Sequence, residues 1–192
     1  MHISYSTSIL CGGQSTRMGH DKATLDWHGR FLVCHMMDGF PACNDLFLSV
    51  RDDKQLAELN VKKVVDEYRG IGPAAGLAAS LKAAKHDVLF IVTCDAPLVD
   101  ERTAEILIAQ LKDFDAVVPV SEDHVHPLTA VYRKSITDIV ECSIARDCRK
   151  IIRILDQMNV CYFPAEDLPY GCSTLANLNT PEDFKKYSLT ID

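Results

Sequence analysis

The chain lacks an excess of positive charge: 27 acidic side chains stand against 20 basic ones, for a formal net charge of −7. Nucleic-acid binding wants a basic face, so no nucleic-acid partner is expected. A small polyanion held by a few placed cations and a metal remains compatible. Among eight cysteines (Cys11, Cys34, Cys43, Cys94, Cys142, Cys148, Cys161, Cys172) there is no Cys-x-x-Cys, which weakens zinc and thioredoxin-like readings. Dispersed thiols fit a reducing compartment, so a cytoplasmic location is expected. The seven histidines are dispersed too. His124 and His126 make the one close pair, and a polar loop explains them better than a metal site. No apolar run is long enough to span a bilayer, and the N-terminus lacks the basic region and apolar core of a signal peptide. No membrane partner is expected. Linkers, low-complexity tracts and internal repeats are also missing.

What is present is ordinary for a soluble globular chain: 47% apolar and 24% charged residues. Its 192 residues fit one domain, residues 1–192, and a chain of this length can bury about 70% of its unfolded surface. Periodicity predicts strands at Ser8–Cys11, Asp45–Val50, Val61–Val65, Val88–Thr93, Ala116–Val120 and Val160–Phe163. It predicts helices at Arg30–Phe40, Lys54–Leu59, Ala74–Ala84, Asp100–Leu111, Ile136–Ile144, Arg149–Met158 and Pro181–Tyr187, the last capped by Thr180 or Asn179. Pro127–Tyr132 alternates and reads as a strand antiparallel to its neighbours. Strands alternating with helices imply an α/β fold: three α/β/α layers around a mostly parallel, Rossmann-like sheet, with that antiparallel strand in the C-terminal half. Ligands of such sheets sit outside the carboxyl ends of the strands. The glycine pair Gly12-Gly13, Asp66 and Asp95 all follow strands there.

The stretch from Leu10 to Lys22 carries the sharpest chemistry. Gly12 and Gly13 let the backbone approach a ligand without a Cβ in the way. Successive N–H groups in such a turn suit an anion, and Arg17 and Lys22 add a planar fork and a point charge. Two commoner phosphate loops fail. Five residues separate Gly13 from Gly19 and His20-Asp21-Lys22 follows, unlike a P-loop. The adjacent glycines also break the G-x-G-x-x-G fingerprint. On composition alone, a polyphosphate seat and an ordinary strand-to-helix turn with solvated cations stand level.

Leu-x-Gly-Gly-x-Ser-x-Arg-Met-Gly-x-Asp-Lys, as it stands over Leu10–Lys22, resembles the signature of the molybdenum cofactor guanylyltransferases, nucleotidyltransferases of GT-A-like fold. The Gly-Gly pair resembles the guanylyl branch, where cytidylyl enzymes tend to have Ala-Gly. Cys11 departs from the alanine usual there, a small change. Cys94-Asp95-Ala96-Pro97 is similar to the family's metal-binding motif. The loop from Asp66 through Gly72-Pro73 to Gly76-Leu77, His126-Pro127-Leu128, and Asn177-Leu178-Asn179-Thr180-Pro181-Glu182-Asp183 are similar to further family segments. The likeness therefore runs from Leu10 to Asp183.

The resemblance implies a nucleotide-diphospho-sugar transferase type of sheet and transfer of GMP from GTP to the phosphate of molybdopterin (molybdenum cofactor), with release of pyrophosphate. It implies Mg²⁺ on Asp95, which would otherwise be a turn carboxylate capping backbone N–H groups. Arg17, Lys22 and Asp95 are the expected catalytic residues. Leu10, Cys11, Gly12, Gly13, Lys22, Asp66 and Asp95 are expected to contact the nucleotide, with Asp66 on base or ribose and Glu67 as its competitor. Asn177 is expected at the metal or acceptor, and Asn179 and Asp183 at the loop and helix start. No asparagine follows the second strand (Ser49-Val50-Arg51-Asp52), where the family often reads the base. Transient contact with cofactor-handling proteins also follows from the resemblance. Rival readings are another nucleotide or acceptor, such as CTP or a sugar phosphate, and a non-catalytic nucleotide-binding regulator.

Overall fold

Ser6–Leu10 forms β1, a buried central strand with three hydroxyl side chains in a row. Buried hydroxyls are costly unless bonded, and these have partners. Ser6 Oγ donates to Asp45 Oδ2 at 2.6 Å, Ser8 Oγ meets Ser80 Oγ at 2.7 Å, and Thr7 Oγ1 accepts from Cys43 Sγ at 3.3 Å. Those contacts explain why the strand begins three residues before its apolar half, at Ser6 rather than Ser8. The computed structural model describes residues 3–12, 21–68, 70–122 and 124–188.

A hairpin follows, β2 (Asp26–Trp27) and β3 (Arg30–Phe31), then α1 (Leu32–Asp38), β4 (Leu46–Val50), β5 (Lys63–Val65), α2 (Pro73–Ala83) and β6 (Val88–Thr93). The second half holds α3 (Glu101–Ala109), β7 (Ala116–Ser121), β8 (His124–Val125), β9 (Ala130–Arg133), α4 (Thr137–Ala145), α5 (Ile151–Leu155), β10 (Val160–Pro164) and α6 (Pro181–Ser188). The large sheet has the order β10-β7-β9-β6-β1-β4-β5, with β8 paired to β7. β1 is parallel to β4 and β6, β4 to β5, and β7 to β10. β9 is antiparallel to both β6 and β7.

Alternation along the strands makes two cores. In β6, Val88, Phe90 and Val92 face one cluster with α1 and α3, through Val33, Met36, Ala104 and Leu107. Leu89 and Ile91 face the other, with Leu77 and Leu81 of α2, Val140 of α4 and Ile154 of α5. This is the expected three-layer arrangement. Among the described residues no helix is long and apolar enough to cross a membrane.

Several local expectations change, and β5 starts at Lys63 rather than Val61. Lys54–Leu59 is a series of turns rather than a helix, because Leu56 adopts φ +55°, outside the right-handed helical region. The helix expected over Arg30–Phe40 starts only at Leu32, since His28 and Gly29 both have positive φ and close a tight hairpin. The antiparallel strand starts at Ala130 rather than Pro127, after a turn in which the Thr129 amide bonds the His126 carbonyl. The helix expected over Arg149–Met158 shortens to Ile151–Leu155.

Candidate functional site

The registers bring the strand ends level. Leu10 pairs with both Ser49 and Thr93, and Val50 pairs with Val65. Gly12, Asp66 and Asp95 therefore leave the sheet at one edge. Asp95 is 8% exposed, in a turn where the Cys94 amide bonds the Leu10 carbonyl and the Ala96 amide bonds that of Thr93. Its Oδ2 accepts from Lys22 Nζ at 2.6 Å. Its Oδ1 is buried without a hydrogen-bond partner among the described residues, as is Thr93 Oγ1. An unmet buried carboxylate oxygen is costly unless a ligand supplies the partner.

Lys22 Nζ also donates to Asn179 Oδ1 at 2.9 Å. Asn179 reaches that position because the Leu178 amide bonds the Asp95 carbonyl at 2.8 Å. Behind it, Asp183 Oδ2 accepts the Asn179 and Thr180 amides, and Thr180 Oγ1 accepts the Asp183 amide, a reciprocal cap on α6. These amide bonds hold the Asp183 carboxyl below the usual carboxylate range. Leu178 and Tyr187 pack with Trp27, Leu32 and Leu98. The hairpin thus anchors the C-terminal segment over the site.

Asp66 occupies a slot between two glycines. Its Oδ1 accepts from Ser49 Oγ at 2.8 Å. A Cβ on Gly12 would meet Asp66 Oδ2 at 3.0 Å, and one on Gly76 would meet Leu10 Cδ2 at 3.1 Å and Ser49 Oγ at 3.3 Å. Gly12 suits glycine because its backbone closes on the Asp66 carboxylate, and Gly76 because α2 closes on the Leu10 and Ser49 side chains. Burial raises the Asp66 pKa, opposed by the Ser49 hydrogen bond.

Residues 7–160 match the family model described as the MobA-like NTP transferase domain. The chain belongs to this family. It is 32% identical over 183 residues to a probable molybdenum cofactor guanylyltransferase of Bacillus velezensis, covering 93% of this chain and 92% of that one. A similarly named protein of Carboxydothermus hydrogenoformans is 32% identical over 185 residues, covering 94% and 93%. The crystal structure of molybdopterin-guanine dinucleotide biosynthesis protein A from Archaeoglobus fulgidus superposes with a TM-score of 0.83 at 26% identity, covering 96% of this chain and 97% of that one. This MobA-like protein is a nucleotidyltransferase with the expected mixed sheet.

Its remaining candidate residues divide clearly. Gly13 and Arg17 lie outside the described residues. The Leu10 carbonyl holds Cys94, and the Cys11 amide bonds the Ser49 carbonyl at 2.8 Å, so both work as frame at the rim. Cys11 points inward at 3% exposure, and the neighbouring Cys94 thiol followed by burial pushes its pKa up. The Asn177 side chain is exposed, and the residue's main-chain carbonyl accepts from Asn179 Nδ2. Of the two asparagines, then, Asn179 meets Lys22, a contact that spacing alone does not disclose. Glu67 pairs outward with Lys82 at 3.1 Å, away from the Asp66 slot. His126 bonds Ser121 Oγ at 2.8 Å, with its pKa lowered by burial and by His124.

The donor set also bears on a metal. No group of three or more His, Cys, Asp or Glu side chains converges among the described residues. Asp95 Oδ1 is one unsatisfied oxygen ligand. That fits a hard cation which keeps several waters and borrows phosphate oxygens, as Mg²⁺ does.

Proposed function

We propose that this nucleotidyltransferase, acting as one domain over residues 1–192, transfers GMP from GTP to the phosphate of molybdopterin (molybdenum cofactor) and releases pyrophosphate. The observation that carries the reading is the meeting of Lys22, Asp95 and Asn179 at the end of β6. The names of the relatives support the choice of nucleotide and acceptor.

An oxygen of the acceptor phosphate attacks the α-phosphorus in line as the bond to pyrophosphate breaks. The acceptor is already ionised, so the chain supplies position and positive charge rather than a nucleophile or general base. The Gly12 and Gly13 amides, Arg17 and Lys22 hold the triphosphate and neutralise pyrophosphate as it leaves. Lys22 is pre-aimed by its two partners. Asp95 Oδ1 would hold Mg²⁺, which when bound would supply neutralisation of phosphate charge. Asp66 contacts the nucleoside in its glycine-walled slot, with Leu10 and Cys11 beside it. Asn177 serves the acceptor side or supports the loop. The protein works in the cytoplasm, in transient contact with cofactor-handling proteins.

The test is titration calorimetry with GTP, CTP and ATP in the presence of Mg²⁺, followed by pyrophosphate release with molybdopterin as acceptor. Tighter GTP binding and GTP-dependent release are expected. Preference for CTP would discard both the guanylyl assignment and the acceptor.

A further inference from the structure

Gln55, 5% exposed in the loop after β4, spends its whole amide on the phosphate-loop flanks and its own loop. Nε2 donates to the Cys11 carbonyl at 2.8 Å and to Asp21 Oδ2 at 2.6 Å, and Oε1 accepts the Arg51 amide at 2.9 Å. A primary amide offers two N–H donors, and here each is committed to a different segment. Cys11 immediately precedes Gly12, and Asp21 immediately precedes Lys22. The Asp21 carboxylate is itself well placed: Oδ1 accepts the Ala23 amide at 3.1 Å, capping the short turn Lys22–Thr24, and the Arg51 guanidinium stands 3.6 Å from Oδ2.

The surrounding loop is shaped to present this side chain. Asp52 Oδ1 accepts the Gln55 backbone N–H at 3.0 Å, and the next residue, Leu56, turns inward with φ +55° at 4% exposure. A helix over the same residues would carry the amide elsewhere.

We propose that Gln55 is a positioning residue for the nucleotide: by clasping the Cys11 carbonyl to the Asp21 carboxylate, it sets the separation between the Gly12 amide and the Lys22 amine. The clasp rests on the reading of Gly12 and Lys22 as the triphosphate seat. It deepens that reading by naming an uncharged side chain that touches no phosphate yet governs the geometry of those that do. Small displacements of charged groups in such a seat are costly, since about 1 Å of misplacement can cost roughly 100-fold in rate.

The decisive variant is Gln55→Glu. A carboxylate has no donor and sets negative charge against the Asp21 carboxylate and the Cys11 carbonyl; its protonated form regains one O–H donor. At about pH 8 the Gln55→Glu protein is expected to show a KM for GTP raised about tenfold with a smaller change in kcat, and the deficit relative to wild type shrinks toward about pH 6. Gln55→Ala shows the KM defect without that recovery. In the unliganded proteins, both variants speed amide hydrogen exchange at Ala23 and Thr24, while β6 amides keep wild-type rates. An unchanged KM at every pH, or unchanged exchange at Ala23 and Thr24, overturns the clasp. Wild-type protein that releases no pyrophosphate with any nucleotide defeats the proposed reaction instead, and the exchange rates then decide on the clasp alone.

Discussion

Lys22 Nζ lies 2.6 Å from Asp95 Oδ2 across 73 residues of chain, while the other oxygen of that carboxylate stays buried without a partner among the described residues. One oxygen is committed to a cation of the chain and the other is left over. That division suits a carboxylate which must orient a lysine and still ligate a metal ion.

Asp95→Asn keeps the size of the side chain and removes its charge. The fold is expected to survive, with a melting temperature close to wild type, while pyrophosphate release falls by about 10³-fold. Steady-state turnover and thermal unfolding of the same preparation check this. Near-normal turnover would remove Asp95 from the metal and from catalysis.

Lys22→Met removes the cation and leaves the Asp95 carboxylate, 12% exposed at its side chain, facing an apolar stem. A partly buried charge that loses its partner costs about 1–3 kcal/mol, so the unfolding midpoint should drop. Turnover should fall by about 10²–10³-fold. Lys22→Arg should recover stability better than activity, because a planar fork does not replace a point charge between Asp95 and Asn179.

The glycine slot separates ligand binding from folding. Gly12→Ala brings a Cβ to 3.0 Å from Asp66 Oδ2, and a carboxylate can swing away, so the protein should fold but bind GTP about tenfold more weakly. Gly76→Ala presses on Leu10 Cδ2 and Ser49 Oγ within the packed layer, and should cost about 1–3 kcal/mol of stability. Calorimetric binding and denaturant midpoints on both variants distinguish the two effects.

Asp66 carries a stability signature in its pH dependence. Burial raises its folded-state pKa above the unfolded value, so the folded protein binds this proton more tightly. Its contribution is therefore most favourable in acid and weakens as pH rises from the ordinary carboxylate range through the raised folded value. Asp66→Asn, neutral at every pH and still able to accept from Ser49, should be more stable than wild type at neutral pH. That advantage should fade on acidification. Melting temperatures across a pH series test it; a constant difference would assign the effect to something other than ionisation.

Much of the site was legible because strand ends are legible. Continuous apolar runs mark Ile9–Leu10 and Val88–Val92 as buried strands, and the polar residues that terminate them must emerge where a parallel sheet keeps its ligands. Gly12 and Asp95 follow those two strands, and Asp66 follows β5 in the same way. Lys54–Leu59 reads as a helix by composition, which takes no account of the positive φ at Leu56. The hairpin at His28-Gly29 escaped for a similar reason: positive φ at His28 is not visible in a short polar stretch.

By itself the sequence determined the alternation of strands and helices, the edge on which the chemistry gathers, and the residue types available there. All of these follow from local periodicity and from where apolar runs stop. Only the tertiary structure decided which groups meet. Asn179 reaches Lys22 from 157 residues away because Leu178 is held by Asp95 and by the cluster around Trp27. Gln55 faces Cys11 and Asp21 because a turn replaced a helix. Contacts of that kind depend on packing between distant segments, and no spacing along the chain records them.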